Sequence, residues 1–82
     1  MKKIESALKN VEEGKMYYHK PFAGGAKFWC KLLKKGVNEA RPSEVQVQEL
    51  KPEDDWNAPT GRVLNVGLNE LYYHWLDDRA IL

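Results

Sequence analysis

Strand-like segments at residues 15–20, 26–35 and 44–50 follow one another with connections too short to hold a crossover helix. Parallel neighbours need such a helix, so these strands are expected to pair antiparallel. The segment 44–50 alternates cleanly at its centre. Val45 and Val47 point one way, and Glu44, Gln46 and Gln48 the other, as in a strand with one dry face. Residues 15–20 (Lys-Met-Tyr-Tyr-His-Lys) are rich in strand formers and stop at Pro21. In 26–35, Phe28, Cys30 and Leu32 share one parity; Lys27, Trp29, Lys31, Leu33 and Lys35 share the other. Phe28, Lys31, Leu32 and Lys35 would also share a helical face, but the clustered aromatics favour strand.

The remaining elements frame these three. Ile4, Ala7, Leu8 and Val11 follow helical spacing with Gly14 as the stop, which predicts an amphipathic helix over 3–13. Residues 51–61 form a long polar loop with two prolines, and 62–66 a further short strand. Leu68, Leu71, Tyr72 and Trp75 again match helical spacing and predict a short helix over 68–75, with a final strand at 79–82. The expected class is α+β. An N-terminal amphipathic helix lies on one face, or across one end, of an antiparallel sheet of four or five strands. The sheet is open or curled into a small barrel, and a short C-terminal helix follows.

The strand run from Lys15 to Val66, followed by a helical turn at 68–71, resembles the layout of small SH3-like barrels, including the Tudor and KOW types. Separately, Ala7-Leu8-x-x-Val11-x-Glu13-Gly14-Lys15 resembles the helix–glycine–strand opening of small phage proteins that sequester nucleotide signals. Pro21-Phe22 stands where that pattern has a tryptophan soon after the first strand.

The chain has 82 residues, which is one small domain over 1–82 with a thin core. Its apolar content of 43% and charge of 30% argue against disorder. A single cysteine, Cys30, allows no internal disulfide, and secreted domains of this size usually need such staples. With no apolar leader and no run of ~20 apolar residues, the expected compartment is the cytoplasm, of a cell or of a host if the protein is viral.

Charge is sorted along the chain. Residues 1–36 carry nine lysines against three glutamates, and residues 37–82 carry nine carboxylates against Arg41, Lys51, Arg62 and Arg79. The net charge of +1 therefore conceals opposed halves, which points to a charged partner or to self-association. A homodimer that lays Lys27, Lys31 and Lys35 against Glu53, Asp54 and Asp55 is one arrangement of that kind, and neutralisation within one fold is the simpler one.

Two surfaces stand out as binding candidates. In the loop 51–61, Glu53, Asp54 and Asp55 precede Trp56. An indole in a polar loop can anchor a protein interface while the carboxylates steer a basic partner and repel phosphates. The alternative is that Trp56 folds back over the core. The second surface is a lysine–aromatic sheet face. Lys27, Trp29, Lys31 and Lys35 line one side of one strand, and Lys15, Tyr17 and His19 one side of its neighbour. In matching register they would form a platform for RNA or single-stranded DNA, with rings stacked on bases and lysines along phosphates. Alternatively the N-terminal helix covers Trp29 and Leu33.

Catalysis finds little support. Cys30 with His19 or His74 could be written as a nucleophile–base pair, but Cys30 sits in an apolar run, and His74 has Glu70 as a helical-surface partner. No phosphate loop, nucleophile elbow or zinc-type ligand pair occurs. The size leaves little room for both a core and a pocket of ~300 Å³ or more. The expectation is a non-enzymatic protein-binding module, a regulator or inhibitor of a larger macromolecular partner, with no cofactor, no metal and no membrane. Binding of RNA or single-stranded DNA is the second reading. Sequestration of a small ligand or nucleotide signal by an oligomer is the third, implied by the phage resemblance.

Overall fold

The computed structural model describes residues 2–55 and 57–82. The chain opens with helix α1 (Lys2–Asn10) and continues into strands β1 (Met16–His19), β2 (Phe28–Lys34), β3 (Glu44–Glu49) and β4 (Val63–Gly67). A 3-10 turn at Leu68–Glu70 then leads into the two-residue strand β5 (Leu71–Tyr72). All strand pairs are antiparallel, in the order β4-β3-β2-β1-β5. The result is a small α+β fold with a five-stranded sheet. The sheet stays open: β4 and β5 occupy its two edges and do not pair with each other.

Strand parity sets the core. β1 and β2 pair with Tyr17 opposite Cys30 and His19 opposite Phe28. The inner face therefore carries Tyr17, His19, Cys30 and Leu32, continued by Val45 and Val47 of β3 and Val66 of β4. α1 lies over this face with Ala7 buried, Val11 just past its end is buried as well, and Leu68 of the 3-10 turn and Leu71 of β5 close the core. The helix thus covers the Cys30–Leu32 side of β2 and leaves Trp29 on the other side.

α1 ends earlier than its apolar spacing suggests. Val11 leaves the helix to bury itself, and the chain reverses at Gly14, whose φ of +87° suits glycine. Lys35, arriving from the end of β2, donates from Nζ to the carbonyls of Leu8 at 2.7 Å and Val11 at 2.9 Å. An ammonium at a helix C-terminus satisfies orphan carbonyls and complements the helix dipole.

The expected helix over 68–75 is replaced by the 3-10 turn and β5. Gly67 is extended and offers no side-chain cap, and Leu71 is extended as well, with φ −106° and ψ 141°. A helix this short is marginal alone, while the free edge of β1 offers Leu71 and Tyr72 a ladder opposite His19 and Tyr18. The expected strand at 79–82 is not a strand. Its backbone still docks, with Ile81 N–H donating to the Leu71 carbonyl at 2.7 Å and Leu82 N–H to the Leu68 carbonyl at 3.3 Å. No helix among the described residues is long and apolar enough to cross a membrane.

Candidate functional site

The outer face of the sheet, opposite α1, carries the most distinctive surface. The β1–β2 register sets Tyr18 against Trp29 and Met16 against Lys31. The Tyr18 and Trp29 rings meet edge to face with centroids 5.0 Å apart. Tyr72 of β5 extends this row beyond Tyr18, and Lys20 places its ammonium 4.4 Å from the Tyr72 ring centre. Lys20 also donates to the Asp77 carbonyl at 2.8 Å, which ties the turn at 74–77 to the sheet. That turn brings the His74 ring to 5.8 Å from Trp29, with Trp75 stacked beyond His74 at 5.7 Å. Trp75 remains 51% exposed and its neighbour Leu76 more so.

On the other side the start of the loop 51–61 forms a wall. Gln48 of β3 donates to the carbonyls of Pro59 and Gly61, so the loop's return limb lies on the outer face. Between loop and turn runs an open groove of about 840 Å³, floored by Met16, Tyr18 and Trp29 and bordered by Leu50, Pro52 and Trp75. It is walled by surface elements and takes no volume from the core, so a chain of this size holds both. Apolar, aromatic-lined concavities of this volume are where ligands and partner side chains bind.

Charge around the groove is mixed and partly committed. Lys27, Glu49, Lys51 and Asp54 all line it. Asp54 accepts from Lys51 N–H at 2.9 Å, Thr60 N–H at 2.9 Å and Thr60 Oγ1 at 2.7 Å. The bonds from Lys51 and Thr60 hold its carboxyl below the usual carboxylate range. Its first role is to staple the loop closed. Glu49 accepts from Arg62 Nε at 3.0 Å. Asp55 accepts from Asn57 N–H at 3.2 Å and pairs with Ala58 at the loop tip, and Glu53 is exposed. Trp56, the anchor expected from the sequence, lies outside the described residues.

The expected lysine–aromatic platform is not assembled. Tyr17 and His19 share the Cys30 face, so they point into the core while Trp29 points out. Tyr17 Oη accepts from Glu12 N–H at 2.9 Å and pins the chain after α1. His19 is 5% exposed, packed on Phe28 at 4.9 Å, with Nε2 3.8 Å from Glu70 Oε1. Burial pushes its pKa below the ordinary histidine value, against the opposing pull of Glu70. Glu70 in turn accepts from Phe22 N–H at 2.7 Å, so it serves the β1–β2 loop and not His74. Lys15 pairs with Glu12 at 3.0 Å, and that bond lifts its pKa. Lys35 is committed to α1. Of the seven residues expected, Lys27, Trp29 and Lys31 remain on or beside the outer face.

Met16, Tyr18 and Trp75 were missed as site residues. The signal for Tyr18 was its strand parity, legible once the pairing register with Trp29 is known. Trp75 was hidden by a helical spacing that the chain does not use.

Cys30 is fully buried and its thiol donates weakly to the Tyr17 carbonyl at 3.4 Å. Burial raises its pKa to about 12, which keeps it protonated at neutral pH. Among the described residues no cluster of three histidine, cysteine or carboxylate side chains could hold a metal ion. No protein-family model matches the sequence, and no match to a curated protein or to a solved structure was found.

Proposed function

We propose that the chain is a small non-enzymatic protein-binding module that regulates or inhibits a larger macromolecular partner through the outer-face groove. The observation that carries this reading is the row Tyr18–Trp29 with Trp75 beside it, left open to solvent on the face that α1 does not cover. Partly exposed aromatic rings around a concavity are the usual anchors of protein interfaces. The loop 51–61 is stapled by Asp54, and its Lys51, Pro52 and Asp54 form the border of the same surface. We further propose that the fold is an open variant of the SH3-like plan; the four-strand meander, the 3-10 turn after β4 and the return of β5 beside β1 support this reading, and the sheet does not close into a barrel.

The test is affinity capture by wild type, Trp75→Ala and Trp56→Ala, each with and without nuclease. Truncating an anchor costs ~2 kcal/mol or more, about a thirtyfold loss of affinity. A nuclease-resistant protein captured by wild type and lost by Trp75→Ala is the expected result. Equal capture by Trp75→Ala would overturn the groove as the contact surface.

Binding of single-stranded nucleic acid stays as the second reading because Lys27 and Lys51 line the groove beside exposed rings. Its signature is nuclease-sensitive capture with affinity falling steeply as salt rises.

A further inference from the structure

We propose that the chain forms a two-fold dimer by antiparallel pairing of β4 with β4 of a second copy, which joins the two sheets into one. The β3–β4 ladder is bracketed by two bonds, Glu49 N–H to the Arg62 carbonyl at 2.9 Å and Leu68 N–H to the Ser43 carbonyl at 3.0 Å. Leu64 and Val66 share that parity and turn their backbone groups toward β3. Val63, Asn65 and Gly67 turn theirs to the outer edge. Among the described residues no strand pairs with that edge.

The opposite edge of the sheet differs. Lys20 N–H donates to the Glu70 carbonyl, so Glu70 and Tyr72 face β1 and Leu71 faces outward. Its outward carbonyl is already taken by Ile81 N–H at 2.7 Å. One edge is therefore closed by the chain's own C-terminal segment, and the other is bare. Head-to-tail pairing of β4 with the β5 edge of another copy has no free partner. Pairing of like with like remains, and it closes at two copies.

The β4 sequence is self-complementary in that pairing. With Asn65 on the two-fold axis, Asn65 meets Asn65, and Val63 meets Gly67 of the second copy; each such pair exchanges both N–H···O bonds. Val63, 52% exposed on the outer face, comes over a residue with no side chain. Leu64 meets Val66 on the inner face, where both already pack against the core, so the apolar layer continues across the axis. No charged side chain occurs within Val63–Gly67 to oppose its like. Monomeric sheets usually guard an edge with lysine, proline or a bulge, and β4 has none of these.

The test is solution mass by light scattering across micromolar to near-millimolar concentration, for wild type, Asn65→Pro and Asn65→Lys. Asn65→Pro removes an N–H that β3 does not use, so it blocks the new edge and spares the old ladder. Asn65→Lys sets two ammonium groups face to face at the axis and serves where the proline variant fails to fold. Wild type at twice the mass of one chain, with both folded variants at half that value, is the expected result. Slowed amide exchange at Val63, Asn65 and Gly67 in wild type accompanies it. A wild type monomeric throughout, a mass above two chains, or a dimer that survives Asn65→Lys would each overturn the proposal.

Discussion

Lys35→Met isolates a single interaction that holds α1 in place. Methionine keeps most of the aliphatic stem and removes the ammonium that bonds the carbonyls of Leu8 and Val11 at 2.7 and 2.9 Å. Hydrogen bonds to a charged group contribute ~1.5–3 kcal/mol, and both carbonyls are only partly accessible to replacement water. The helix dipole adds ~0.3–1 kcal/mol at the same end. One ammonium shared between two acceptors does not deliver both bonds in full, so the expected loss is ~1.5–3 kcal/mol. With a urea slope of ~1 kcal/mol/M for a domain this small, the midpoint falls by ~1.5–3 M. Lys27→Met is the control, since Lys27 is exposed at the groove rim and should change stability by no more than ~0.5 kcal/mol. The assay is urea unfolding followed by far-UV circular dichroism. If Lys35→Met and Lys27→Met unfold at the same midpoint, Lys35 is an ordinary surface lysine and the account of the helix end is wrong.

Two further outcomes follow from buried groups. His19 titrates below its unfolded value, so between the two values the unfolded chain binds the extra proton, and stability falls as pH drops from about 6.5 toward the folded value. His19→Phe, which keeps a ring against Phe28 and cannot titrate, should flatten this dependence in urea midpoints measured from pH 7 to 5; an unchanged slope would refute the assignment. Cys30, buried and held protonated, should react with iodoacetamide only through global opening. Its labelling rate should therefore rise in step with Lys35→Met destabilisation, and rapid labelling of native wild type would contradict the burial.

Much of the fold was legible because period and connection length are local properties. The alternation of Val45 and Val47, the stops at Gly14 and Pro21 and the short links placed α1 and four strands close to where they lie. The error at 68–75 came from the opposite situation. Leu68, Leu71 and Tyr72 fit helical spacing, and only the free edge of β1 decides for an extended chain. The site was less legible for the same reason. β1 and β2 each show two plausible faces, since Tyr17, Tyr18, Phe28 and Trp29 are all aromatic. A one-residue slip exchanges the faces completely. The fully buried pair Cys30 and Leu32 fixes which parity is inside, and this sends Tyr17 and His19 inward and Tyr18 and Trp29 outward.

The same pairing removes the simple two-pole picture that the charge order suggests. β2 belongs to the lysine-rich half and β3 to the acidic half, yet they are neighbours, with Cys30 opposite Glu49 and Lys31 opposite Gln48. The loop that leaves β3 then brings Lys51 and Asp54 to the groove rim beside Lys27, the residue that precedes β2. The groove consequently presents both signs, and its two carboxylates already hold Thr60 and Arg62. Long-range steering by one sign of charge is weak at such a rim, so under the proposed reading short-range contact with the rings would supply most of the affinity. For a protein partner this means a shallow salt dependence and a large effect of Trp75→Ala. A bound nucleic acid would show the reverse weighting, because every phosphate contact adds to the salt slope. Measuring both quantities on one partner therefore separates the two readings, even before that partner is identified.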